Sequence, residues 1–330
     1  MHRIRTYTSA RPTVQAGRWI RLATGWIAAL ALGLGLAAPV SARAATPAGA
    51  VVVLVSHDAA PHTEALEGLR ARLRGANRQV GGVWDLAGDD SNAEAILAEV
   101  RSLRPAVVVT IGSLATRVAV AAKLGVPVVG GLVPRTQSLK GSDELTGVTL
   151  EIPVEVQLDW LRRMVPDARR VGVVYNAREN AALVRRLQGA AGSRGLSIEA
   201  QAVSEPKEIP RALTAASEDA HVLLGLADSV VLTSQTARQL LLSSFRNRVP
   251  LVGPSESWVK AGALYALHWD YRDLGAQVGD MVLAVLGGTP PSQLEPVAPR
   301  TIRWSVNART AEHMRITLPR ALLDGATSIY

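Results

Sequence analysis

Five polar segments, each at the end of an apolar run, carry side chains suited to holding a small polar molecule: Ser56-His57-Asp58, Gly112 to Thr116, Asn176, Asp228 and Ser255. In open α/β sheets ligands sit outside the carboxyl ends of the strands, so the position of these residues matters as much as their type. Ser113, Leu114, Ala115 and Thr116 open a helix after the run Ala106 to Ile111. Their backbone N–H groups and the positive end of the helix dipole suit a carboxylate, with the Ser113 and Thr116 hydroxyls as further donors; an ordinary helix start has the same composition. Asp228 has the charge to pair with an ammonium group, and equally the chemistry to cap the helix that follows. Asn176 and Ser255 read either as ligand contacts or as a turn residue and a helix cap. Trp269 offers a flat face for stacking or for packing between elements, and Arg135, if it faces the same site, favours an acidic ligand.

Bond-breaking chemistry finds less support. His57, Asp58, His62 and Glu64 lie close together in the chain but match no zinc-ligand spacing, and solvated polar residues account for them. There is no cysteine, which removes disulfides, thiolate metal sites and a cysteine nucleophile. No G-x-S-x-G elbow and no phosphate loop occurs, and Gly81-Gly82 fits neither. The residues therefore point to reversible binding, with no enzyme activity, catalytic residue, metal or cofactor expected.

The elements that must position these segments alternate. Apolar, β-branched runs at Ala50 to Val55, Val80 to Leu86, Ala106 to Ile111 and Val126 to Val129 are separated by helical patterns such as Leu66, Leu69 and Leu73, or Ile96, Val100 and Leu103. The loop Gly130 to Ser142 follows. Thr146 to Asn176 then joins two such units: an extended piece at Gly147 to Leu150, a helix with Val154, Leu158, Leu161 and Val165 on one face, a stop at Pro166, and a strand from Val171 to Tyr175. The second unit repeats the grammar, with helices expected near 178–193, 209–216, 232–246, 256–261 and 271–286, and strands near 196–203, 222–226, 250–252, 263–267 and 301–306. Such alternation argues for parallel sheets covered by helices on both faces.

Charge identifies a leader. Residues 1–44 hold six arginines and no acid, so of the 36 basic residues 30 remain against 28 acids, and a net +8 becomes +2 for the body. The basicity that invites a nucleic-acid partner belongs to the leader, and no nucleic-acid partner is expected. An apolar run from Ala23 to Ala38 follows the basic start, and Ala42-Arg43-Ala44 completes an A-x-A pattern. Cleavage is expected after Ala44, leaving a soluble periplasmic protein; without a cysteine it has no site for a lipid anchor.

Three blocks of the chain carry a family resemblance. Thr146-Gly147-Val148 with Gln157-Leu158 and Pro166 to Asn176 is the first. Val249 to Val252 with Ser255, Ser257 to Lys260, Gly262 to Leu264 and Asp270-Tyr271 is the second. Asn307-Ala308 with Thr310-Ala311 and Ile316 to Pro319 is the third. Together they resemble the ABC transporter substrate-binding family that includes aromatic amino-acid binding proteins. The resemblance implies an α/β fold of two Rossmann-like, doubly wound lobes joined by three crossing strands, the type I periplasmic binding protein. It places lobe one at 46–147 plus 268–292 and lobe two at 148–267 plus 293–330, with crossings near 147–150, 267–270 and 299–306. The cleft between lobes would close over the ligand by hinge motion, with Ser56, His57, Asp58, Ser113, Leu114, Ala115, Thr116, Asn176, Asp228 and Ser255 lining it. Two departures fall on lobe one. The His-Pro pair common in the first loop is absent in register, where the chain reads Ser56 to His62. An Asp-Pro turn after the fourth strand is replaced by Gly131 to Thr136, including Arg135. The implied function is the extracytoplasmic solute-binding component of an ABC importer, taking an amino acid or small carboxylate. The implied partners are the small-molecule ligand and an inner-membrane ABC permease, and the protein is expected to be a monomer. The alternative is a ligand-sensing module that feeds a membrane receptor or histidine kinase.

Overall fold

A computed structural model of the chain describes residues 49–330. The expected leader and its cleavage site lie outside the described residues. In chain order the first lobe runs β1 (Val51–Val55), α1 (Ala60–Arg74), β2 (Val80–Asp85), α2 (Ala93–Ser102), β3 (Val107–Ile111), α3 (Ser113–Ala121), β4 (Val128–Val133) and β5 (Leu145–Thr149). The second runs α4 (Val154–Met164), β6 (Arg170–Asn176), α5 (Ala177–Ala191), β7 (Ser197–Val203), α6 (Ile209–Ser217), β8 (Val222–Leu224), α7 (Ala237–Asn247), β9 (Leu251–Gly253), α8 (Glu256–Ala261) and β10 (Tyr265–Trp269). The chain continues through α9 (Tyr271–Leu286), β11 (Ile302–Val306), α10 (Ala308–His313), α11 (Arg320–Asp324) and β12 (Ser328–Ile329).

Two sheets result. The first has five parallel strands in the order β2-β1-β3-β4-β5. The second has seven, β12-β11-β10-β9-β8-β6-β7, parallel except where β10 runs against β11. Parallel strands bury both faces, which is why β1, β3 and β9 are buried from end to end and, apart from Thr110 in β3, apolar. Each sheet carries one apolar cluster on either face. Leu69, Leu73, Val278 and Val282 belong to one side of the first sheet, and Leu97, Val100, Val118 and Leu139 to the other. Leu158, Leu161, Val184 and Leu187 pack beside the second sheet, with Ile209, Leu213, Leu240 and Leu251 opposite.

Several elements differ from the sequence reading: β8 stops at Leu224, β10 runs two residues later than 263–267, β12 has no counterpart in it, and β4 and α7 differ most. β4 extends to Val133, through what reads as loop, because Gly130 and Gly131 pair with Thr110 and Ile111 of β3. The helix expected from 232 begins at Ala237 instead. Thr233 and Thr236 cause the delay: the Thr236 hydroxyl donates to the Val231 carbonyl at 2.5 Å, and the Thr233 N–H donates to the Thr236 Oγ1 at 3.1 Å. Side chains that bond nearby backbone compete with helix in this way.

The chain passes between the lobes three times. β5 leaves the first sheet and leads through Leu150 to Pro153 into α4. β10 leaves the second sheet and leads into α9, which packs on α1 of the first lobe. The segment after α9 returns to β11. These passages are tied side by side: Val148 bridges Val297, the Thr149 N–H donates to the Val297 carbonyl at 2.9 Å, and β10 pairs with β11 from Tyr265–Val306 to Trp269–Ile302. Arg303 clamps Asp270 at 2.6 Å, and Arg300 donates to Asp273 and Asp280 at 2.7 and 2.8 Å.

Candidate functional site

The segments after β4 and β5 of the first lobe and the ends of β8, β9 and β10 of the second border one cavity of about 900 Å³. Lobe one contributes Pro134, Arg135, Thr136, Gln137 and Lys140, on the loop after β4. Lobe two contributes the ends of β8, β9 and β10 and one face of α5. A volume of this size falls within the range of small-molecule pockets, roughly 300–1,000 Å³. Its wall is largely apolar, built from Leu183, Leu224, Leu226, Val252, Leu267 and Trp269.

The charged groups of the lining are arranged unevenly. Glu151 sits on the first passage between lobes. Its carboxylate accepts from Arg186 of α5 at 2.5 Å and from the Thr136 N–H and hydroxyl at 3.2 and 3.0 Å. It thus links the lobe-one loop to a lobe-two helix. Burial opposes its charge, but the bonds from Arg186 and Thr136 outweigh that and hold the carboxyl below its ordinary 4.5. Glu179 accepts from the Asn176 amide at 2.8 Å and from the Ser229 N–H and hydroxyl. Both lining carboxylates are therefore occupied by protein donors. Arg135 is exposed, and its guanidinium has no hydrogen-bond or ion-pair partner among the described residues. Lys140 has only Glu295, itself exposed, at 3.8 Å.

None of the ten residues singled out in the sequence is in the lining of this cavity: Asp228 and Ser255 each adjoin a lining residue, Asn176 lies three positions before Glu179, and the seven on lobe one, Ser56 to Asp58 and Ser113 to Thr116, follow strands that contribute nothing to it. Asn176 caps α5, accepting from the Arg178 N–H at 3.1 Å. Asp228 organises its loop: its carboxylate accepts from the Asn176 N–H and the Val230 N–H, each at 2.9 Å, from the Val231 N–H at 2.5 Å, and at 3.5 Å from the Asn180 amide. Asn180 and Ala227, the neighbours of these two residues, do line the cavity. Ser255 precedes α8 and its hydroxyl meets that of Ser257 at 2.8 Å; Pro254 beside it is a lining residue. On lobe one, Ser56 is buried and its Oγ accepts from the Ala115 N–H at 3.0 Å. The buried Thr116 hydroxyl meets Thr110 at 2.8 Å and donates to the Gly112 carbonyl at 3.0 Å. Ser113 and Leu114 keep the open first-turn position of α3. Gly112 is required there: its φ is +97°, and a Cβ would crowd the Ser56 hydroxyl and the His62 ring. Asp58 accepts from the Thr63 hydroxyl at 3.1 Å, and the His57 and His62 rings lie 4.2 Å apart. Burial first, then His57, lowers the His62 imidazole below 6.5. No group of three or more His, Asp or Glu side chains among the described residues is placed to hold a metal ion.

Sequence reasoning missed Glu151, Arg186, Gln137 and Leu183. Arg186 and Leu183 lie within α5, and only the tertiary pairing with a carboxylate 35 positions away distinguishes Arg186 from a solvated helix residue. Trp269 is in the wall, its ring 6.1 Å from that of Tyr271, and its buried indole N–H has no partner.

Two parallel-sheet lobes with a cavity at their facing strand ends define a binding protein of the periplasmic type I fold. Residues 49–330 match the family described as ABC transporter substrate binding protein, and the chain belongs to that family. It is 25% identical over 164 residues to a tyrosine-binding protein of Clostridioides difficile, a match spanning 49% of this chain and 46% of that one. The matched part is thus less than half of that relative's length. In fold it is similar to the ligand-free, open structure of a substrate-binding protein with adhesive properties from Clostridium difficile, with TM-score 0.69 at 17% identity, covering 85% of this chain and 98% of that one. It is also similar to an ABC domain in complex with L-Trp from Streptococcus pneumoniae, with TM-score 0.57 at 20% identity, covering 86% and 100%. No helix among the described residues is long and apolar enough to cross a membrane.

Proposed function

We propose that this chain is the extracytoplasmic solute-binding component of an ABC importer, which binds an amino acid or small carboxylate between its lobes and alters no bond. The observation that carries this reading is the cavity of about 900 Å³ bounded by strand ends of both lobes and spanned by three chain passages. The amino-acid ligands named for the tyrosine-binding relative and the L-Trp complex support the ligand class. In this reading lobe one is 46–147 plus 268–292 and lobe two is 148–267 plus 293–330. The protein acts as a periplasmic monomer after its leader is removed. Closure brings Ser56, His57, Asp58 and the first turn of α3, Ser113 to Thr116, toward the lobe-two residues Asn176, Asp228 and Ser255. Within that turn the N–H groups of Ser113 and Leu114 are open and suited to a ligand carboxylate.

A thermal-shift screen over amino acids, organic acids and nucleosides tests the reading. A ligand at a hundred times its Kd stabilises the folded state by about 2.7 kcal/mol, and for a chain of this size that raises Tm by roughly 4 °C. A flat response across the whole panel contradicts it. Affinity purification from membranes, recovering either a permease or a receptor kinase, separates import from sensing.

A further inference from the structure

We infer that the ligand is a carboxylate with an apolar or aromatic body and without an α-ammonium group. This rests on the solute-binding reading and narrows it. Three observations converge.

First, the carboxylates of the cavity already hold protein donors. Its two lining carboxylates are Glu151, bound by Arg186 and Thr136, and Glu179, bound by Asn176 and Ser229. Asp228, the acid nearest the lobe-two strand ends by sequence, accepts from three backbone N–H groups and an amide. An ionised carboxyl has about four lone-pair sites, so Asp228 has none to offer. Asp58 bonds Thr63 and lies outside the lining.

Second, the donors are not used. Arg135 has no partner among the described residues, and Lys140 has only a distant, solvated one. An unpaired guanidinium binds a carboxylate through two parallel charge-assisted hydrogen bonds. An ammonium brought to the same place meets the like charge of Arg135 and Lys140.

Third, the wall opposite this cationic loop is apolar, including Leu224, Leu226, Val252 and Trp269. It suits an alkyl or aryl body and returns nothing for the desolvation of a second charged group.

The full chain is titrated calorimetrically with matched pairs that differ only in the amino group, 3-phenylpropionate against L-phenylalanine and hexanoate against L-norleucine. At least one carboxylate is expected to bind about tenfold or more tighter than its amino-acid partner, since an unsatisfied polar group costs that much or more. Arg135→Gln is expected to weaken that carboxylate about tenfold with Tm unchanged, because the exposed guanidinium holds no other group. Tighter binding of the amino acid in each pair overturns the inference and leaves the solute-binding reading standing. An unchanged carboxylate affinity in Arg135→Gln also overturns it. Binding by none of these compounds, together with a flat thermal-shift screen, overturns both.

Discussion

Asp228 gathers the ends of two lobe-two strands through one carboxylate. It takes the Asn176 N–H at the end of β6 and the Val230 and Val231 N–H groups of its own loop. Replacing it with alanine leaves these donors without their acceptor, and each unsatisfied buried group costs about 1–3 kcal/mol. Asp228→Ala is therefore expected to lower the urea midpoint clearly, and an unchanged midpoint would contradict the loop-holding role. The sequence reading holds both possible roles for this residue open, as cap and as ligand partner. Residue type alone cannot separate them, because a carboxylate at a strand end suits either role. The strand-end residues were legible for the same reason that parallel strands are: each follows a run of Val, Ile or Leu. Arg135, Glu151 and Arg186 were harder to place because their roles come from partners present or absent in three dimensions.

At the scale of elements, α1 and α9 approach closely enough to require glycine. A Cβ on Gly68 would overlap the Arg272 carbonyl, and one on Gly275 would overlap the Ala65 carbonyl. Overpacking of this kind typically costs about 1–3 kcal/mol. Gly275→Ala is expected to lose about that much by chemical denaturation, and wild-type stability would show that the helices can part without cost. Acid should loosen the links between lobes. The bond from Arg300 holds Asp273 below its ordinary 3.8, and the bonds from Arg186 and Thr136 hold Glu151 below 4.5 against its burial. A lowered folded pKa contributes stability that is fully present above the unfolded value and is lost as pH falls through the folded one. Tm should thus be level through neutral pH and fall below about pH 4, and a Tm that holds steady to pH 2 would contradict the assignment. The alternating elements themselves were readable from periodicity, and the start of α7 and the length of β4 are the main exceptions. There a pair of threonines and the glycine pairing with β3 override the local pattern.

The whole molecule is two sheets joined through a narrow set of passages, and these carry the fastenings: the Val148–Val297 bridge, the β10–β11 pairing and the Arg303–Asp270 clamp. Relative motion of the lobes must be absorbed at such a waist, as hinge closure generally is. Glu151 is placed to respond, because it holds Thr136 of one lobe and Arg186 of the other. Glu151→Gln weakens both holds, and it is expected to change ligand affinity severalfold while leaving each lobe folded. Unchanged affinity would confine Glu151 to a structural role. The claim that a solute binds between the lobes is tested most directly by filling the cavity. Ala182 is exposed and lines it, so a larger side chain there takes up the space without disturbing a core. Calorimetric titration of the best compound from the thermal-shift screen into wild type and Ala182→Trp should show binding in the first and none in the second, with the two proteins melting at the same temperature. Equal affinity in both would place the ligand elsewhere and contradict the account.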